Sequence, residues 1–486
     1  MNPFLTLNKS YINGEFHSGQ GSINFKNLNP YTDEVITTIR TASENQTIQA
    51  IEGSREAEKE WGRLPRTRKR VLKHAYKLFN KNKNDIIDCL IKETGSTFIK
   101  AEVEFRMSMM ILKESIKLVD EIGFVEEKAG LIPTKTNKIY RKPKGVISSI
   151  SPFNFPFHLS MRTIAPALAL GNAVVHKPDI QTGITSGSVF AKVFHDAGMP
   201  AGVFQSILTE PSEIGDVLVE HDAVNLVSFT GSTEVGRHIG GLAGSHLKQV
   251  ALELGGNSPF VVLKDADMKT AVRAAVMGSF LHQGQICMSV NRIIVHEDIH
   301  DTFVKRFVKA TKKIKSGDPE KKRTLVGPII NKTQLDKTKN FIEMAKREGK
   351  MVLEGEQIKN VITPYIFTDI KNNSEIAQSE LFSPIALIIK AESDKEALEF
   401  ASDTEYGLSG SIITKDIARG EKLAVEMESG MTHVNEMPAL DMPNIPFGGV
   451  KNSGIGRFGS PYVVGEFTEL KWVSIQKKSL PYNWLK

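Results

Sequence analysis

Cysteine is scarce in this chain: two in 486 residues, Cys89 and Cys287. That count excludes a disulfide framework and makes a reducing cytoplasm the expected compartment. Long apolar runs are missing too. A membrane helix needs about 18 apolar residues in a row, and the nearest candidate, 164–175, is shorter and broken by Gly171 and Asn172. No membrane partner is expected. The opening MNPFLTLNKSYINGEF has no basic segment leading into an apolar stretch, so no signal peptide is expected. Charge of one sign is also in short supply, since 62 Lys and Arg against 56 Asp and Glu leave +6. The basic clusters at 81–88 and 321–324 lack an aromatic platform or a reading helix beside them, so nucleic acid is not an expected partner. H-E-x-x-H, C-x-x-C, G-x-S-x-G and G-x-x-x-x-G-K-[ST] do not occur. The twelve histidines are dispersed without metal-ligand spacing, so no metal site is expected.

The composition that is present, 40% hydrophobic and 24% charged, is that of a globular protein. The length asks for at least two domains. After a short extended start, residues to about 120 carry apolar and charged residues at helical spacing, with helices expected over 44–61 and 67–93. Residues 121–144 then alternate and carry Pro and Gly, which reads as an extended excursion. From Gly145 short β-branched strands alternate with helices: GVISSIS, NAVVHKP, GVFQSIL, AVNLVSFTG and KQVALELGG. This is the pattern of a parallel sheet covered by helices, and such sheets bind ligands at the carboxyl ends of their strands. A second alternating region follows a boundary near Gly255-Gly256. The fold class is therefore α/β.

Several places carry possible chemistry. NLVSFT runs into GSTEVGRHIG, where glycines and hydroxyls open a helix. Free N–H groups at such a start attract a phosphate, although Ser232 is equally suited to plain N-capping. A literal G-x-G-x-x-G at Gly454, Gly456 and Gly459 follows no convincing strand and has too little chain after it for a βαβ unit, so it reads as a glycine-rich loop. Cys287, in HQGQICMSVNR, suits a nucleophile or a small buried apolar residue, whereas Cys89 within IIDCLI reads as core. Glu253 ends the apolar strand VALELGG. An acid there is either a desolvated general base or a solvent-facing strand end. Asn154 in SPFNFPF is either an amide donor to an oxyanion or a turn cap.

Taken together, SPFNFP (151–156), VVHKP (174–178), FTGSTEVGR (229–237), LELGGNSP (252–259), GQICMS (284–289), SELFSP (379–384) and PFGGVKNSGIGR (446–457) resemble the aldehyde dehydrogenase superfamily, in its order. The similarity is greatest to bacterial benzaldehyde and vanillin dehydrogenases. The resemblance implies a Rossmann-like parallel-sheet cofactor domain (1–120 and 145–255), an α/β catalytic domain (256–455), and a β oligomerisation arm (121–144 and 466–486) building a homodimer or homotetramer. It implies Cys287 as nucleophile, Glu253 as general base and Asn154 as oxyanion donor. Aldehyde oxidation would then pass through a thiohemiacetal and a thioester that water hydrolyses. Ser151, Phe153, Lys177, Gly231, Ser232, Gly236, Leu254, Gly255, Glu380 and Phe382 would hold NAD or NADP. Phe155, Arg162, Ile286 and Phe447 would line a substrate tunnel, for which an aromatic aldehyde is favoured over a broad aliphatic one. Ile180 stands where many NAD-preferring relatives carry glutamate, so dual cofactor use is expected. A non-redox cysteine hydrolase or acyltransferase is the rival from another class.

Overall fold

The computed structural model describes residues 2–132 and 134–480. Residues 481–486 of the expected arm lie outside that range. An eight-stranded sheet runs in the order Glu15–His17, Ser10–Ile12, Phe204–Ser206, Ala173–Pro178, Val146–Ser151, Val224–Thr230, Gln249–Glu253, Gly454–Ile455. The five strands from Phe204–Ser206 to Gln249–Glu253 are parallel. Their β-branched and small residues are buried on both faces, as helices above and below the sheet require. The strand order reverses direction between Val146–Ser151 and Val224–Thr230, which opens a crevice at their carboxyl ends. Helix Pro156–Ala169 leaves this point with every residue buried, its polar members His158 and Arg162 included.

Two expectations about the first 120 residues need correction. Four strands precede the helices, and Asn24–Leu28 pairs with Val35–Arg40 as a separate hairpin. The span 67–93 is two helices, Pro65–Lys81 and Lys83–Thr94, broken at Asn82. The Asn82 side-chain amide donates to the Leu78 carbonyl (2.9 Å), the local competition that makes Asn a helix terminator.

Past Gly255-Gly256 the chain enters a second sheet of seven strands, in the order Lys350–Leu353, Tyr365–Thr368, Ile385–Ala391, Val290–His296, Ser258–Val262, Ser409–Ile413, Met431–Val434. Near its end the chain returns to the first sheet. Gly454–Ile455 pairs antiparallel with the end of Gln249–Glu253, so residues expected in the second domain complete the first. A Cβ at Gly454 would lie 2.3 Å from the Leu252 carbonyl oxygen. This glycine serves close strand approach and not a phosphate. A third sheet joins Gly123–Ala129, Lys135–Pro143 and Thr468–Gln476, all antiparallel. No helix among the described residues is long and apolar enough to cross a membrane.

Candidate active site

Three neighbouring strands deliver their ends to one place. Val146–Ser151 runs on into Phe153 and Asn154, Val224–Thr230 into Gly231 and Ser232, and Gln249–Glu253 ends on Glu253 itself. The second domain supplies the facing wall from the Cys287 loop, from Glu380 to Phe382, and from helix Lys332–Glu348. Asn154, Glu253 and Cys287, more than 130 residues apart at the extremes, line a single cavity of about 420 Å³.

The Cys287 loop is bent tightly. His282 and Gln283 have φ of 52° and 58°, and Gly284 follows at 72°. A Cβ on Gly284 would stand 2.1 Å from the Ser383 carbonyl oxygen. The loop is anchored from outside, where Gln283 accepts from Gly327 N (2.9 Å) and Gln285 from Ile330 N (3.1 Å). On the other side Gly256 passes so near that a Cβ there would meet the Cys287 carbonyl at 2.3 Å. The Gly-Gly turn after Glu253 therefore fixes the distance between the carboxyl strand and the thiol loop.

Burial sets the charge states. The Glu253 carboxyl is pushed up to about 8, chiefly by desolvation, with Arg162 and Arg457 opposing. Its Oε1 is buried without a hydrogen-bond partner. The Cys287 thiol is raised to about 12, first by desolvation and then by the Glu380 carboxylate. Glu380 is itself raised to about 7 by burial, partly offset by the Gly256 N–H that donates to it (3.1 Å). A neutral thiol, a carboxyl pushed up to about 8 and an amide thus share one cavity. Asn154 Nδ2 donates one hydrogen to the Gln285 carbonyl (3.0 Å), two residues before the thiol.

The residues expected at a cofactor divide into those on the cavity wall and those behind it. Phe153, Gly231, Ser232, Leu254, Glu380 and Phe382 line it. The Phe153 and Phe382 rings meet edge to face, 6.0 Å apart. Ser232 caps helix Thr233–Ser245, its hydroxyl accepting from Val235 N (3.4 Å), and faces the cavity as well. Gly255 does not line the cavity, but a Cβ there would come within 2.6 Å of Glu380 Oε2. Gly236 is a packing glycine: a Cβ there would stand 2.2 Å from Leu254 Cδ2. Ser151 turns its hydroxyl into the sheet, to Ser160 Oγ (2.9 Å) and His176 Nε2 (3.4 Å). Lys177 is off the cavity wall at its strand end, buried, with Asp179 and Glu210 as charged neighbours that offset its desolvation. Ile180 is packed against Ile39 and Leu208.

The four residues expected at a substrate tunnel lie apart from this wall. Arg162 lays its guanidinium over the Phe447 ring at 3.7 Å and donates to Asp441 Oδ2. His158 Nε2 joins the same oxygen at 2.8 Å. Burial raises the Asp441 pKa, but Arg162 and His158 outweigh it and hold the carboxyl well below its usual range. Arg162 and Phe447 line a narrow cleft with Ile111, Leu118 and Phe458. Phe155 sits over Lys100, and Ile286 is core. Cys89 is buried in its helix, as expected.

Sequence reading missed Gln334, Lys337, Phe341 and Met344, which line the cavity from one face of helix Lys332–Glu348. Their i, i+3, i+7, i+10 spacing was available, but it is the spacing of any helix with one face turned inward.

A half-buried cysteine sharing a cavity with a carboxyl and an amide at the switch point of a doubly wound sheet is an arrangement suited to a nucleotide-dependent thiol enzyme. The comparisons with known proteins make the class specific. Residues 16–473 match the aldehyde dehydrogenase family. A vanillin dehydrogenase of Corynebacterium glutamicum is 44% identical over 474 residues, 96% of this chain and 98% of its own. A benzaldehyde dehydrogenase of Bacillus subtilis is 41% identical over 484 residues, 98% and 99% respectively. The crystal structure of an NAD-dependent benzaldehyde dehydrogenase from Corynebacterium glutamicum superposes with a TM-score of 0.89 at 41% identity, covering 98% of each chain. The chain belongs to the aldehyde dehydrogenase family and is an NAD(P)-dependent aldehyde dehydrogenase.

Proposed function

We propose that the chain oxidises an aromatic aldehyde to its carboxylic acid at the cavity shared by Cys287, Glu253 and Asn154. That sharing is the observation that carries the reading. The residues present fit a dinucleotide. The crevice lies at the sheet's switch point, a helix opens there on Ser232, and a Cβ at Gly255 would crowd Glu380. When bound, NAD supplies the acceptor for the hydride that leaves the substrate carbon.

The chain's own groups do the rest. Glu253 in its ionised form takes the thiol proton, and the sulfur of Cys287 adds to the carbonyl carbon. Asn154 retains one amide hydrogen beyond the one given to Gln285, and this hydrogen serves the oxyanion of the thiohemiacetal. Loss of hydride leaves a thioester on Cys287. Glu253 passes the thiol proton to solvent and, ionised again, removes a proton from water; the hydroxide adds to the thioester carbonyl, the C–S bond breaks, and the thiolate of Cys287 takes the proton back from Glu253 as the acid leaves. A carboxyl poised at about 8 suits both proton transfers. Its presence favours water over a carrier thiol as acyl acceptor.

For the substrate, Asp441 neutralises Arg162, which lies over the Phe447 ring in a narrow cleft off the cavity wall, so this side offers no free charge. This supports an aryl aldehyde without a charged substituent, in keeping with the vanillin and benzaldehyde dehydrogenases above. For the cofactor, the absence of acid at position 180 argued for dual use, but Asp179 and Glu210 bring negative charge to Lys177 from two strand ends. We infer that NAD is preferred and NADP is used weakly. The exposed faces of Leu470 and Trp472 on the third sheet support pairing with a second copy of the chain. Two unpaired thiols support a reducing cytoplasm.

The test compares kcat/KM for benzaldehyde, vanillin and hexanal by the absorbance of reduced nicotinamide. Benzaldehyde or vanillin is expected to lead hexanal by at least tenfold. A lead for hexanal would overturn the aromatic assignment, and turnover by Cys287→Ala would overturn the mechanism.

A further inference from the structure

One buried cluster next to the cavity has no part in the chemistry above. Lys100 and Glu104, one turn apart on helix Phe98–Lys117, are 1% and 0% exposed in their side chains and form an ion pair. In sequence they look like an ordinary i, i+4 surface pair. In the fold, all three ammonium hydrogens of Lys100 are used: on Glu104 Oε2 (2.5 Å), on Ser96 Oγ (2.9 Å) and on the main-chain carbonyl of Asn154 (2.7 Å). The Phe155 ring closes over the same ammonium at 4.1 Å.

Glu104 holds the next residues of that segment. Its Oε1 accepts from Phe157 N (2.9 Å) and His158 N (3.1 Å), the first donors of helix Pro156–Ala169. The helix has no cap of its own, because its N-cap residue Phe155 makes no side-chain hydrogen bond. The pair therefore grips residues 154–158 by a carbonyl and two amides, while the Asn154 carboxamide is tied to Gln285 O on the thiol loop. A buried ion pair is a costly way to join two helices, and well-packed apolar residues would do so at least as well. What it adds is direction, with each charge committed to a backbone atom flanking Asn154.

We propose that Lys100, supported by Glu104, is a positioning residue that aims the Asn154 amide at the oxyanion formed on Cys287. The proposal rests on the reading of Asn154 as oxyanion donor. Misplacing such a donor by an ångström is enough to lower the rate on the order of 10- to 100-fold.

The test is a double-mutant cycle on the full-length enzyme, using benzaldehyde and NAD. The rate of the first hydride burst is read by stopped flow, beside the KM for NAD and the apparent Tm. Lys100→Met is expected to slow the burst about 10-fold or more with the KM for NAD within about twofold. In the Asn154→Ala background, Lys100→Met is expected to add no further loss, because the group it aims is gone. If Asn154→Ala slows the burst but Lys100→Met does not, or if the two losses multiply, the positioning role is overturned and the Asn154 reading stands. If Asn154→Ala leaves the burst intact, the reading of Asn154 itself has failed, and the proposal falls with it. Should Lys100→Met not fold, Glu104→Gln keeps an acceptor for both helix amides and removes only the counter-charge. The same non-additive slowing is expected there, and an unchanged burst overturns the proposal.

Discussion

Replacing Glu253 with Gln separates the two halves of the reaction and tests the charge state that burial imposes. The carboxyl stands at about 8 against an ordinary 4.5. At pH 7 roughly one molecule in eleven then carries the ionised base, and at pH 9 roughly ten in eleven. If hydrolysis of the thioester limits turnover, kcat of the native enzyme rises about tenfold across that interval. Glu253→Gln holds the shape but takes no proton, so a slowed burst of one equivalent of hydride is expected, the thiol proton then leaving to water, followed by a stall at every pH. The stability effect has a definite sign. A carboxyl raised in the fold binds its proton more tightly there than in the unfolded chain. The penalty for carrying charge there is therefore absent below the unfolded pKa near 4.5 and grows as pH rises toward 8. Above pH 8 it reaches a limit on the order of 5 kcal/mol. The Gln variant escapes this penalty, so its apparent Tm relative to native should rise between pH 5 and 8 and change little beyond. Stopped-flow absorbance at 1:1 aldehyde and scanning calorimetry in parallel read both effects. Steady turnover by Glu253→Gln equal to native, or a native kcat flat from pH 6 to 9, would refute the reasoning.

The remaining expectations are more compact. Glu210→Gln removes one of the two carboxylates beside Lys177 and should improve kcat/KM with NADP relative to NAD, by about tenfold on the scale of a single charge; unchanged ratios from parallel titrations would show that Glu210 does not act on cofactor choice. Gly256→Ala drives a methyl into the Cys287 carbonyl at 2.3 Å and should lower kcat by about 100-fold, while far-UV circular dichroism stays native. With its thiol raised to about 12, Cys287 in the free enzyme should be alkylated by iodoacetamide slowly at pH 7 and about tenfold faster per pH unit up to pH 9, as mass spectrometry of the labelled peptide would show. Cys89, fully buried, should remain unlabelled throughout.

Sequence alone determined the α/β class, the parallel strands from Val146 to Glu253 and helix Glu44–Trp61, because each is written in local periodicity. It also singled out Cys287, Glu253 and Asn154, since each stands in a short motif with an unusual residue at a strand end or turn. Tertiary structure decided what those residues meet. That Arg162 is neutralised by Asp441, 279 residues away, leaves no trace in either segment. The same holds for Glu210 beside Lys177 and for the helix Lys332–Glu348 wall. Glycines show the division most clearly. Gly454 satisfied a nucleotide-binding pattern by spelling, yet it exists because a strand edge passes 2.3 Å from where its side chain would be. Gly256, read in the sequence as part of a domain boundary, is the one against which the thiol loop rests. Lys100 and Glu104 had the spacing of a solvated pair, and only the arrival of the Asn154 turn made them interior. Local sequence fixes which conformations a segment prefers; burial, charge state and aim depend on distant segments arriving at the same place.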